Sequence, residues 1–256
     1  MSKTGCYLYA VTRGVETADL SAVTGLRAAH IRLIEHRGLA AVVSDVDLDE
    51  FGEAGLRQNL EDLRWLEEVA RGHHAVVHAV ATKGPTAPLR MATICLTDDA
   101  VRARLDEWHD ALEDALRRVE GRMEWSVKAY APRLNPNAEP SSADTSGPGA
   151  GTAYLVRRKA AIAEREAGVR AAEAEAEELH AALSRHSAAS RRLPPQDRKL
   201  TGHQGTMTLN AAYLVENDRA AVFRAAVHEL DDEHPAVRLD LRGPWPAYSF
   251  AVLEGP

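Results

Sequence analysis

The feature that most constrains this chain is the run from Ala153 to Arg191, rich in Ala, Glu and Arg, with no Pro and a single interior Gly, Gly168. Such a composition has high intrinsic helix propensity, and it predicts one helix over residues 153–191. At about 1.5 Å per residue that helix spans roughly 60 Å, more than a domain of ordinary size needs to cover one sheet. Leu155, Ile162, Val169, Ala176 and Leu183 recur at seven-residue steps, and Ala172, Leu179 and His186 join them in the last third. A second stripe, Ala153, Ala160, Ala167, Ala174, Ala181 and Ala188, sits about 200° round the helix and predicts small-residue contacts on both sides. Glu166 and Arg170 form an i,i+4 ion pair worth only a few tenths of a kcal/mol. Isolated helices are marginal in water and draw their stability from packing, so the seam requires a partner, another helix of this chain or another protein. The expectation is a coiled-coil arm with Leu155, Ile162, Val169, Leu179 and Leu183 as its partner-binding residues.

A chain of 256 residues carries one or two domains and buries a large core without a cofactor or disulfide. Its net charge of -7, with both signs interspersed, lacks the clustered Lys and Arg of a nucleic-acid-binding face. Cys6 and Cys95 fall in predicted strands and suit a reducing cytosol as small buried hydrophobes. Neither a signal-peptide core nor an apolar run of about 18 residues is present, so the reading is an intracellular chain with no membrane span.

The short apolar segments define the rest. Cys6 to Val11 is a continuous apolar and aromatic run suited to a strand buried on both faces. Thr12 to Thr24 reads as loop, and the segments around Ile31 to His36 and Leu39 to Val46 form a hairpin about Arg37 and Gly38. Leu56, Leu60, Leu63, Leu66, Val69, His73, Val76 and Val80 predict one long amphipathic helix. Pro88 to Leu96 is a fourth strand, and Thr97, Asp98 and Asp99 begin a helix running to Val119. Met123 to Tyr130 alternates as a half-buried strand, whereas residues 132–151 are rich in Pro, Asn, Ser and Gly and read as a disordered linker. Beyond the long helix come a loop over residues 192–205, a strand at Thr206 to Val215, a helix from Asn217, and a strand at Val237 to Leu241. The order predicts an α+β chain of two domains: residues 1–121, ferredoxin-like, and residues 122–256, a related split βαβ outline with its first helix extended into the arm.

The closing segment GPWPAYSF, Gly243 to Phe250, is the most specific stretch. Pro244 and Pro246 hold Trp245 on stiff, extended backbone. Its ring is expected to plug the core, with Tyr248 and Phe250 continuing one face of a last strand. The chain resembles the gas vesicle GvpL/GvpF family in YLYAV at Tyr7, LAAVVSDV at Leu39, APLRMATIC at Ala87, EWSVKAY at Glu124, GTAYLVRRK at Gly151, LNAAYLV at Leu209, and GPWPAYSF. Ala247 stands where that pattern has a further Pro, and Ala92 where it has a small residue, often Gly. The resemblance implies a ferredoxin-like N-terminal domain and a C-terminal domain with a coiled-coil extension. It also implies a non-enzymatic part in gas vesicle formation inside the cytoplasm, beside the main shell protein and other accessory proteins.

Two other readings come from different classes. His74 and His78 share a helix face at i,i+4 and could hold a metal with His73 nearby, as in a metal-dependent enzyme. Two ligands do not make a site, no HExxH pattern is present, and His73 falls on the apolar stripe. The third reading is a ligand-sensing module of two ferredoxin-like domains. The glycines before the long helix lack the Lys-Ser or Lys-Thr of a phosphate loop, and no metal or cofactor is expected.

Overall fold

The computed structural model describes residues 3–131, 150–196 and 205–251. They form two compact units, one running to Glu124 and including the closing segment from Pro244, the other comprising Trp125–Gly243. The boundary falls between Glu124 and Trp125, beside the expected one at 121 and 122, and the closing segment groups with the first unit.

In the first unit, β1 (Thr4–Thr12), β2 (Arg32–His36), β3 (Leu39–Asp47) and β4 (Thr86–Cys95) form an antiparallel sheet in the order β2-β3-β1-β4. Every residue of β1 after Thr4 is buried, as its apolar run requires. Tyr7 and Tyr9 face a core built with Val69, Val76, Val77 and Val80 of α3 (Leu63–Ala81). The opposite face is covered by α4 (Asp98–Glu107) and α5 (His109–Val119), whose Val101, Leu105, Leu112 and Leu116 are buried. The hairpin turn holds Arg37 at φ 48 and Gly38 at φ 81, the paired positive angles that match the twist of two-residue hairpins.

Two predicted helices are broken. The stretch from Leu48 contains α1 (Leu48–Phe51) and α2 (Glu53–Asn59) before α3, and Asp62 caps α3 by accepting from the Arg64 and Trp65 amides. An Asp that binds its own downstream backbone competes with a continuing helix. Likewise α4 stops at Trp108, where the Arg104 guanidinium lies 4.7 Å above the indole, and α5 starts anew.

In the second unit, β5 (Arg122–Ala131), β6 (Ala189–Arg192), β7 (Thr206–Glu216) and β8 (Arg238–Trp245) take the order β6-β7-β5-β8. Each sheet thus places its second, third, first and fourth strands side by side. The core joins Trp125 and Val127 of β5 and Tyr213 of β7 to Phe223 and Val227 of α7 (Ala220–Glu233). The long helix, α6, spans Ala150–Ser184 and not residues 153–191, because its last predicted residues form β6 instead. That strand is a short, polar edge with no alternating apolar signal. It is pinned to β7 by register pairs from Ala189↔Leu214 to Arg192↔Ala211. Most of the expected linker, residues 132–149, lies outside the described residues.

A bulge interrupts the β1–β4 ladder. Leu8 pairs with Thr93 but Ala10 with Pro88, so β4 makes an excursion at residues 89–92. Within it Ala92 holds φ 63, and its amide donates to the buried Tyr7 hydroxyl at 3.1 Å. A Cβ in the left-handed region costs about 1–2 kcal/mol, so Ala92 carries a strain here that glycine would not. Replacing Ala92 with Gly relieves that strain but adds unfolded-state entropy worth about 0.5–1 kcal/mol. Ala92→Gly should therefore stabilise the protein by up to about 1 kcal/mol in denaturant unfolding; a lowered midpoint would refute the strain.

Candidate functional site

The seam of α6 divides into two parts. Ala176, Leu179 and Leu183 are fully buried and belong to the core with Tyr213 and Phe223. Leu179 and Leu183, expected to bind a partner, are thus already consumed within the unit: an apolar seam covers the nearest sheet before it can serve anything else. One heptad further towards the N-terminus the same stripe is bare, with Val169 45% and Ile162 51% exposed. The side chain of Leu155 lies outside the described ones. Ala160, Ala167, Ala174 and Ala181 are also exposed, so the alanine stripe makes no second contact face among these residues. The Glu166–Arg170 pair forms at 3.9 Å with both side chains about two-thirds exposed, too loose to hold the helix. The buried part is anchored through His180, whose Nδ1 lies 2.9 Å from the Tyr213 hydroxyl.

The closing motif is a turn, not a strand. β8 ends at Trp245, and Pro246, which has no N–H to give the ladder, begins a turn in which Phe250 and Ala251 donate back to the Ala247 carbonyl. Trp245 is only half-buried, so the expected core plug is corrected; the buried members of the motif are Pro246, Ala247 and Phe250, the last two at 3% and 7% exposure. The turn is fastened by polar contacts that sequence reasoning missed. Glu124, itself buried, accepts from the Ser249 amide and hydroxyl, both at 2.7 Å, and Arg118 Nη1 donates to the Phe250 carbonyl at 2.9 Å. The Tyr248 hydroxyl lies 3.1 Å from His74 Nδ1, with the two rings stacked. Glu124 falls among the polar positions of the alternating Met123 to Tyr130 strand, so the local pattern carried no signal for its burial.

The three histidines of α3 do not converge. His73 points into the core, its Nδ1 3.0 Å from the Tyr7 hydroxyl, while His74 is engaged by Tyr248 and stands 5.9 Å ring to ring from His78. Among the described residues no group of three His, Cys, Asp or Glu side chains could hold a metal ion. Burial pulls the His73 pKa down to about 4, the Leu89 backbone opposing and His74 reinforcing the shift.

This shift has a stability consequence. Between the unfolded value near 6.5 and about 4 the unfolded chain binds a proton at His73 that the folded chain refuses. The stabilisation is fully present above pH 6.5 and is lost as pH falls towards 4. It amounts to about 3 kcal/mol. Unfolding free energies across this range should decline more steeply for the wild type than for His73→Gln, with parallel slopes disproving the assignment.

A profile of the family described as gas vesicle synthesis protein GvpL/GvpF matches residues 5–252. Gas vesicle protein L of Streptomyces sp. (strain CB03234) is 41% identical over 248 residues, covering 96% of this chain and 92% of that protein. Gas vesicle protein F of the same strain is 29% identical over 229 residues, 86% of this chain and 87% of the relative. The crystal structure of GvpF from Anabaena sp. PCC7120 superposes with a TM-score of 0.68 at 16% identity, covering 98% of each chain. The motifs from Tyr7 to Phe250, the two α+β units and these likenesses over almost the full length agree: the chain belongs to the GvpL/GvpF family of gas vesicle proteins.

Proposed function

We propose that this protein is a non-enzymatic accessory factor that binds the main gas vesicle shell protein, together with other gas vesicle proteins, at the vesicle within the cytoplasm. Membership of the family supplies the role in gas vesicle formation. The observation that carries the binding surface is the bare part of the α6 seam: Ile162 and Val169 continue the face that Ala176, Leu179 and Leu183 bury in the core. A stripe of apolar residues in register with a packed one is a surface ready to be covered. In this reading both units are ferredoxin-like sheets, and the upstream turns of α6 are the coiled-coil arm. Among the described residues no helix is long and apolar enough to cross a membrane.

The two parts of the seam should respond differently to mutation. Ile162→Ser combined with Val169→Ser should lower shell-protein capture in a pull-down at least tenfold while leaving the melting transition unchanged. Leu183→Ala, by contrast, should destabilise the second unit by about 2–5 kcal/mol, as cavity-forming core changes do. Unaltered capture by the double variant would dismiss the arm as the binding surface.

A further inference from the structure

Within the first unit, Cys6 of β1 lies directly opposite Cys95 of β4 in the antiparallel register, and both thiols are free. They lie on one face of the sheet. Cys6 Sγ donates to Asp98 Oδ1 at 3.4 Å, Arg104 acts electrostatically on the Cys95 thiol, and both Asp98 and Arg104 belong to α4. Directly opposed residues of an antiparallel pair keep their Cβ atoms about 4.5–5.5 Å apart. A disulfide requires about 3.5–4.5 Å, so a displacement of roughly an ångström separates the two arrangements. β4 can supply it, being an edge strand whose ladder with β1 is already interrupted by the bulge at residues 89–92.

We propose that Cys6 and Cys95 are a redox-modification site, forming a reversible cross-strand disulfide when a hydroperoxide oxidises them. One thiolate attacks the peroxide O–O bond, becoming a sulfenic acid and releasing hydroxide, which takes the thiol's proton to leave as water. The second sulfur then displaces the sulfenic hydroxyl, which departs as a second water with the second thiol's proton. Two thiols and one hydrogen peroxide thus yield one disulfide and two waters.

The resting state is held reduced by its surroundings. Burial pushes both thiols up, and at Cys6 the Asp98 hydrogen bond reinforces this while Arg32 opposes it. Arg32 donates to Cys6 Sγ at 3.3 Å and also to Asp98 at 2.8 and 2.9 Å and to Asp45 at 3.0 Å. Cys6 therefore belongs to a clamp that joins β2, β3 and the start of α4. Disulfide formation withdraws the sulfur from that clamp and staples a central strand to an edge strand.

The test treats the purified full-length protein with hydrogen peroxide, alkylates the remaining thiols, and reads intact mass and a non-reducing peptide map. The expected result is loss of both alkylatable thiols with a peptide linking Cys6 to Cys95. Dithiothreitol should reverse it, and the melting temperature should rise by several degrees because the unfolded chain is cross-linked across a long loop. Cys6→Ser and Cys95→Ser should each block the link and retain one cysteine. The proposal is overturned if both thiols stay alkylatable in the folded protein, if linkage appears only in urea, or if the disulfides join separate chains.

Discussion

The first unit depends on β1 being buried on both faces. A strand with apolar and aromatic side chains on each side must be covered from each side, so α3 packs on the Tyr7 and Tyr9 face while α4 and α5 close the other. The two tyrosine hydroxyls in that interior then need partners. Tyr9 finds Ser44 at 2.8 Å and the Leu26 amide at 2.8 Å; Tyr7 finds His73 and the Ala92 amide. The bulge in β4, the inward rotation of His73 and the loop at Leu26 are all arrangements that satisfy two buried phenols.

Most of both sheets was legible. Strands with continuous or alternating apolar patterns, β1, β3, β4, β5 and β7, lie close to where periodicity places them, because burial in a sheet leaves a direct mark on residue choice. The misses share another cause. The break at Asp62 is made by one side chain capping the next helix, which periodicity does not register. The strand β6 carries the sequence ASRR, whose place is determined by pairing with β7 and not by any pattern of its own.

The candidate site was legible in outline only. The heptad period along α6 is the same whether the stripe meets a sheet of its own unit or an outside partner; only the fold separates Leu179 and Leu183 from Ile162 and Val169. The prolines of the closing motif drew attention to Trp245, whereas the residues that fasten the turn are Ser249 and Tyr248, through Glu124 and His74. Contacts separated by 125 and 174 residues cannot be inferred from local pattern.

That closing turn also sets the timing of biogenesis. The first unit is discontinuous: its helices α3 and α5 and the start of β5 are made before the second unit, but Tyr248, Ser249 and Phe250, which they hold, are made only after it. At about 5–20 residues per second the intervening stretch takes on the order of ten seconds to synthesise. Throughout that interval the buried Glu124 carboxylate lacks the Ser249 donors and the first core lacks the Tyr248 ring. The first unit is consequently completed only after the second has been synthesised, and a nascent chain cannot present a finished first unit while its second is still being made.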